Sequence, residues 1–240
     1  MTEYGRLWRA LLAVLLAIFA APAALGDAPS KSPSLKGDPQ VRPAADGSLF
    51  NGKDLTGWHA PQTQDFQHQK AVTVEDGALV LAMGQPASGV VWKGQPPREN
   101  YEISLEARRL EGNDFFCGLT FPVGDSYCTF IVGGWGGGTT GLSNLDGYSA
   151  VENETTGYSE FQQGCWYRIR VRVTKETVSA AIDDEELFNV TRKDRKFSVW
   201  WEQEPMRPLG IAAWRTKAAV RNIRLTSLNH EAKDRSSAQE

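Results

Sequence analysis

The chain is poor in the residues that most often carry chemistry or covalent cross-links, with three cysteines, three histidines and three methionines in 240 residues. No CxxC or HxxxH spacing occurs, so the common zinc frameworks are not expected. Cys117, Cys128 and Cys165 form an odd set without paired spacing. At most one internal bridge can form, and small buried apolar side chains are the expected role of all three. A surplus of one charge is missing too, since 26 basic residues stand against 29 acidic ones. Without a field to gather phosphates, nucleic acid is not an expected partner.

Long apolar runs are also scarce. The main one, from Leu11 to Ala20, is well short of the roughly twenty residues that cross a bilayer. Arg6 and Arg9 precede it and Ala21, Ala23, Ala24 and Gly26 follow, so residues 1–26 read as a signal peptide. The protein is therefore expected to be secreted or periplasmic, with no stable membrane anchor after cleavage. Residues 27–46 are rich in Pro, Ser, Lys, Gly and Asp and read as a disordered linker, and residues 229–240 as a disordered tail. Residues 47–228 remain as one domain, long enough to bury a core without disulfides.

Helical periodicity is absent from that domain. Period two takes its place: in Tyr101-Glu-Ile-Ser-Leu-Glu-Ala107 the apolar residues share one face, and Tyr167-Arg-Ile-Arg-Val-Arg-Val173 repeats the pattern with three arginines outward. Asp76-Gly77, Asp183-Asp184 and the stretch Pro122 to Ser126 fall between strand-like segments and predict hairpins. A last strand, Val220 to Leu225, is expected to return beside the start of the domain. The expected class is all-β, a jelly-roll sandwich of two antiparallel sheets.

The stretch Leu49-Phe-Asn-Gly-Lys-Asp-Leu-Thr-Gly-Trp58 resembles the opening signature of the 3-keto-disaccharide hydrolase domain family of secreted bacterial proteins. The hairpin Val74-Glu-Asp-Gly-Ala-Leu79, the strand start Trp166-Tyr167-Arg168 and the closing Arg221-Asn222-Ile223-Arg224-Leu225 extend the likeness over the whole domain. The resemblance implies a concanavalin A-like jelly roll and a carbohydrate partner. It also implies cleavage of 3-keto-glycosides or disaccharides, by hydrolysis or a lyase-type route. In such a reaction the C3 ketone acidifies the C2 proton, a base removes it and the C1 substituent leaves. The family's "NSG.ffR" and "E.Q..D" segments are only loosely matched: Asn113 and Gly118 are kept, the arginine and the acidic strand are not. The alternative is therefore a non-catalytic carbohydrate-binding or adhesion module.

Candidate catalytic groups are Glu152, Glu154, Asp146 and His59, with His68 behind them in a polar loop. Candidate sugar contacts are Asn113, Trp135, Asn153, Trp200, Trp214 and Arg215, because glycines, tryptophans and amide or acidic groups together suit a sugar cleft. Trp135 lies in the glycine-rich run Gly133 to Gly141, which reads equally well as a turn with its tryptophan packed inward. Trp200-Trp201 is expected on a strand, one ring in the core and one at the surface. Arg215 could grip a ligand or pair with Glu202. No cofactor is called for. Calcium on Asp146, Glu152 and Glu154 is conceivable, but solvated loop carboxylates are the default for that trio.

Overall fold

The computed structural model describes Asp38 and residues 40–228; the expected signal peptide and tail lie outside them. Two seven-stranded antiparallel sheets pack face to face. The first runs β1 (Trp58–His59), β4 (Ala87–Trp92), β13 (Gly210–Trp214), β6 (Cys117–Val123), β7 (Ser126–Gly134), β8 (Thr139–Ser143), β9 (Gly157–Tyr158). The second runs β12 (Glu185–Thr191), β11 (Thr177–Ile182), β10 (Tyr167–Val173), β5 (Tyr101–Glu111), β14 (Lys217–Ser227), β3 (Ala78–Leu81), β2 (Thr73–Glu75). This is the all-β sandwich that the period-two pattern predicts. Among the described residues no helix is long and apolar enough to cross a membrane.

The two clearest alternating segments turn out to be neighbours. β5 and β10 pair from Tyr101↔Val173 to Ala107↔Tyr167, which sets Arg172 opposite Glu102 and Arg168 opposite Glu106. Opposite charges facing each other on the outer side favour this register, and a slip by one residue would send the apolar set outward. Asp76 and Gly77 both have positive φ, as the β2–β3 hairpin turn requires. β11–β12 and β6–β7 form the other two expected hairpins.

The signature Leu49 to Trp58 is architectural. Leu49 and Phe50 enter the core, and the buried Trp58 indole Nε1 donates to the Leu49 carbonyl at 2.8 Å. Between them Asn51 Oδ1 accepts the Lys53 and Asp54 N–H groups, while Asp54 Oδ1 accepts the Thr56 N–H. The domain then closes as expected: the Leu49 N–H bonds the Ile223 carbonyl and the Leu225 N–H bonds that of Gly47. The end of the expected linker is described as well, with Val41 half-buried against the core.

Two sequence expectations are corrected. Cys117 and Cys128 are buried, and burial pushes their thiols up to about 12, but Cys165 is exposed in the loop before β10; all three are free. Trp200 and Trp201 lie on no strand. Trp200 precedes a 3-10 helix, Trp201–Met206, and both rings are exposed. Gln203 and Met206, three residues apart, are the buried positions of this helix, which is the spacing of one face of a three-residue turn.

That helix and a shorter one, Gln64–Phe66, cover the outer side of the first sheet, where Phe66 and Met206 join Ala87, Val91, Phe115, Ile131, Ala150 and Ala212 in a second apolar cluster. Gly89 permits the approach, since a Cβ there would stand 3.0 Å from Met206 Sδ and 2.8 Å from the Ile211 carbonyl oxygen. Strands β4 and β6 are consequently buried at every position. Their near-continuous apolar runs are those of strands covered on both faces.

The Asp54 carboxyl is held down at about 2 by hydrogen bonds from the Thr56 side chain, the Asn51 side chain and the Thr56 backbone. A carboxylate depressed in the fold stabilises it above the unfolded value, near 3.8, and loses that effect as pH falls through about 2. Asp54→Ala should therefore unfold more easily than wild type above pH 4, with the difference vanishing near pH 2, as followed by thermal melts across a pH series.

Candidate functional site

β5 keeps its inward alternation through Tyr101, Ile103, Leu105 and Ala107, and the next inward position is Arg109, only 7% exposed. A cation there has to be solvated by the protein. Its Nη2 donates to the Gly137 carbonyl at 2.6 Å and to that of Gly133 at 3.1 Å, and its guanidinium carbon lies 5.1 Å from the centre of the Phe116 ring. Burial lowers its pKa from the ordinary arginine value, against the opposing pull of Asp114. The glycines are therefore where they are for Arg109: a Cβ on Gly133 would stand 2.5 Å from its Nη2. The loop so held presents Trp135 at φ +45°, half exposed.

Beside it, Asp114 begins the approach to β6. Its N–H bonds Thr216 Oγ1, which donates back to the Asp114 carbonyl, both at 3.1 Å. Its Oδ1 accepts the N–H groups of Phe115 (2.7 Å) and Trp135 (3.2 Å). Among the described residues no hydrogen bond reaches Oδ2. Burial raises the Asp114 carboxyl above its ordinary value, and the two N–H groups, Arg109 and Arg215 only partly offset this.

Asp114 and Trp135 form one side of a cleft of about 300 Å³ on the outer side of the first sheet. Phe115, Ile131 and Trp214 make the floor and wall, with Phe115 and Trp214 ring centres 6.1 Å apart. Trp200, Glu202 and Gln203 close it from the long 3-10 helix, and Ser143 and Ser149 add hydroxyls. Three residues expected as sugar contacts, Trp135, Trp200 and Trp214, thus converge from a loop, a 3-10 helix start and a strand. Trp135 faces the cleft instead of packing inward.

The other expected residues lie elsewhere. Arg195 bridges Asp146 and Glu154, at 2.6 Å to each, in a separate basic hollow with Arg98, Arg192 and Lys196. Glu152 touches the cleft at one remove, accepting from Ser149 Oγ at 2.8 Å. Asn153 braces its own loop, its Nδ2 bonding the Leu142, Tyr148 and Ser149 carbonyls. His59 is exposed on the edge strand β1, opposite Val91. Asn113 is exposed next to Asp114, and Arg215 turns the chain between β13 and β14, where its charge acts on Asp114 and makes no ion pair with Glu202. Among the described residues no group of three or more His, Cys, Asp or Glu side chains could hold a metal ion.

Of the two carboxylates lining the cleft, Asp114 is not among the candidates the sequence offers, and Glu202 enters there only as a possible partner of Arg215. Their signals were local and weak: an aspartate at the mouth of an apolar strand, and a glutamate after two tryptophans. Replacing Arg109 by Met strips the Gly133 and Gly137 carbonyls of a charged donor, so chemical denaturation should show a loss of about 2–3 kcal/mol. Trp135 fluorescence should shift toward the solvent-exposed range as its loop loosens.

The model of the 3-keto-alpha-glucoside-1,2-lyase-like domain matches residues 46–226. No curated protein matches the chain. Among solved structures, SCLam, a non-specific endo-β-1,3(4)-glucanase of family GH16, aligns with a TM-score of 0.51 at 11% identity, covering 79% of this chain and 94% of its own. The carbohydrate recognition domain of Emp46p aligns with a TM-score of 0.51 at 13% identity, covering 80% and 98%. At such identities these likenesses speak for the fold alone, a jelly roll used by a hydrolase and by a sugar-recognition domain. The match over residues 46–226 speaks for more: the chain belongs to the 3-keto-alpha-glucoside-1,2-lyase-like domain family, whose fields of action are carbohydrates.

Proposed function

We propose that the cleft binds a 3-keto-glycoside and that Asp114 is the base that starts its cleavage. The observation that carries this reading is the pairing of a fixed carboxylate, one oxygen free, with the Trp135, Trp200 and Trp214 rings. Flat indoles stack on the apolar faces of sugar rings, and a raised carboxyl is a stronger base than a solvated one. Asp114 Oδ2 takes the C2 proton, the C–H electrons form the enolate, and its collapse re-forms the C3 ketone while breaking the C1–O bond. The proton on Asp114 is then available to the departing oxygen, and water adds to the enone. An exported location, expected from residues 1–26, belongs to the same proposal.

A second reading has its own support. Among the described residues the cleft lining holds no Lys, Arg or His to steady an enolate oxygen, while five large apolar side chains there suit recognition without turnover. On that reading the domain is a carbohydrate-binding module.

The test is to incubate the protein with a 3-keto-disaccharide and with its unoxidised parent. We expect cleavage of the keto form alone, slowed by at least about 100-fold in Asp114→Asn and little changed in Glu154→Ala. The rate should climb as pH rises through the elevated Asp114 value and then level off, because the base acts ionised. Full activity in Asp114→Asn would remove the assignment. No cleavage by wild type, with saturable quenching of tryptophan fluorescence by sugar that is lost in Trp135→Ala, would establish the binding module instead.

A further inference from the structure

The two 3-10 helices over the first sheet touch each other, and three side-chain oxygens on them are buried without any hydrogen-bond partner: Asp65 Oδ2, Glu202 Oε2 and Gln203 Oε1. Gln203 is 4% exposed, so its orphaned oxygen belongs to a side chain sealed almost entirely inside the protein. Neither carboxylate has an ion-pair partner among the described residues. The two are close enough for the Asp65 charge to add to burial in raising the Glu202 carboxyl.

A buried acceptor without a hydrogen bond has lost its hydration with nothing in return, and the cost is greater for a charged one. Three such atoms lie on two 3-10 helices that touch each other, and none of them is a donor; what they lack is a positive centre. A single proton shared between the two carboxylates would serve those two oxygens and leave the amide oxygen of Gln203 unserved. A hard divalent cation answers all three, because such ions take carboxylate and amide oxygens as ligands and fill their remaining positions with water. Glu202 and Gln203 also line the cleft, which gives those waters, or hydroxyls of a bound ligand, a way in.

We propose that Asp65, Glu202 and Gln203 form a site for a hard divalent cation, calcium above all, clamped between the two 3-10 helices at the wall of the cleft. The site is separate from Asp146, Glu152 and Glu154, the trio for which the sequence favours solvated loop carboxylates over calcium. It stands on the orphaned oxygens and does not depend on the sugar reading.

The experiment is calorimetric titration of calcium chloride into chelator-stripped protein, with magnesium chloride in parallel and no sugar present, together with thermal melts of the same samples. One calcium per chain is expected, with a rise in Tm on loading and an affinity lower by at least about tenfold in Asp65→Asn and in Glu202→Gln. Both variants also remove one of two neighbouring, partly buried charges, so in the metal-free state each should melt no lower than wild type. That second readout separates loss of a ligand from loss of the fold. Asp146→Asn should bind calcium as wild type does. Absence of heat and of any Tm shift with either ion would overturn the proposal, and so would binding that survives unchanged in Asp65→Asn and Glu202→Gln. A metal-free Tm that rises in Glu202→Gln without any ion response in wild type would mean that the pair shares a proton instead.

Discussion

A guanidinium placed at the end of a core strand has to be given acceptors by the chain around it. Arg109 occupies the position where the alternation of β5 calls for one more apolar side chain, and the carbonyls of Gly133 and Gly137 and the face of Phe116 take the part of water. The cost of stranding that charge is what shapes the glycine-rich loop. A side chain on Gly133 would collide with the guanidinium and one on Gly137 would crowd it, so these two glycines let the loop close on Arg109. Trp135 and Asp114 inherit their places from this arrangement, the first as part of the loop and the second as the carboxylate whose Oδ1 collects the Phe115 and Trp135 N–H groups.

The cover over the first sheet works on a different principle. A sheet in a two-layer sandwich ordinarily leaves its outer face to solvent, yet here Phe66 and Met206 lie on it and make a second apolar cluster. The cleft is what this cover leaves open, bounded by Trp214 and Ile131 from the sheet and by Trp200, Glu202 and Gln203 from the cover. Short 3-10 helices bury few side chains and satisfy few backbone groups. Hydration is thereby denied to Asp65, Glu202 and Gln203 without hydrogen bonds being supplied in return. The lining that gives the cleft its aromatic character and the unpartnered oxygens beside it have one cause.

The family signature and the proposed site lie in different parts of the chain. Leu49 to Trp58 folds into an Asx-stabilised loop that plugs the core and meets β14, with Asp54 and Asn51 bonding only their neighbours. Its residues answer to closing the sandwich, and they neither line the cleft nor approach Asp114. The candidate carboxylates Asp146 and Glu154 share the single positive charge of Arg195, which bonds both at 2.6 Å.

Much of the architecture was legible in the residues because period two is a local property: β5, β10 and the hairpins at Asp76-Gly77 and Asp183-Asp184 follow from side chains adjacent in sequence. The closing strand Val220 to Leu225 was legible too, because jelly-roll connectivity brings the end of such a domain back beside its start. The cleft was legible only in its tryptophans. Asp114 and Glu202 are ordinary acidic residues until folding places one under two N–H groups and the other beside Asp65, and Glu154 looks like a candidate base until Arg195, far along the chain, reaches it. The sequence by itself determined the strand pattern, the family and the aromatic inventory, all written in near neighbours or in a continuous motif. Which carboxylates are free, raised and facing the rings was decided by tertiary structure alone, because desolvation and charge pairing depend on partners that only the fold brings within reach.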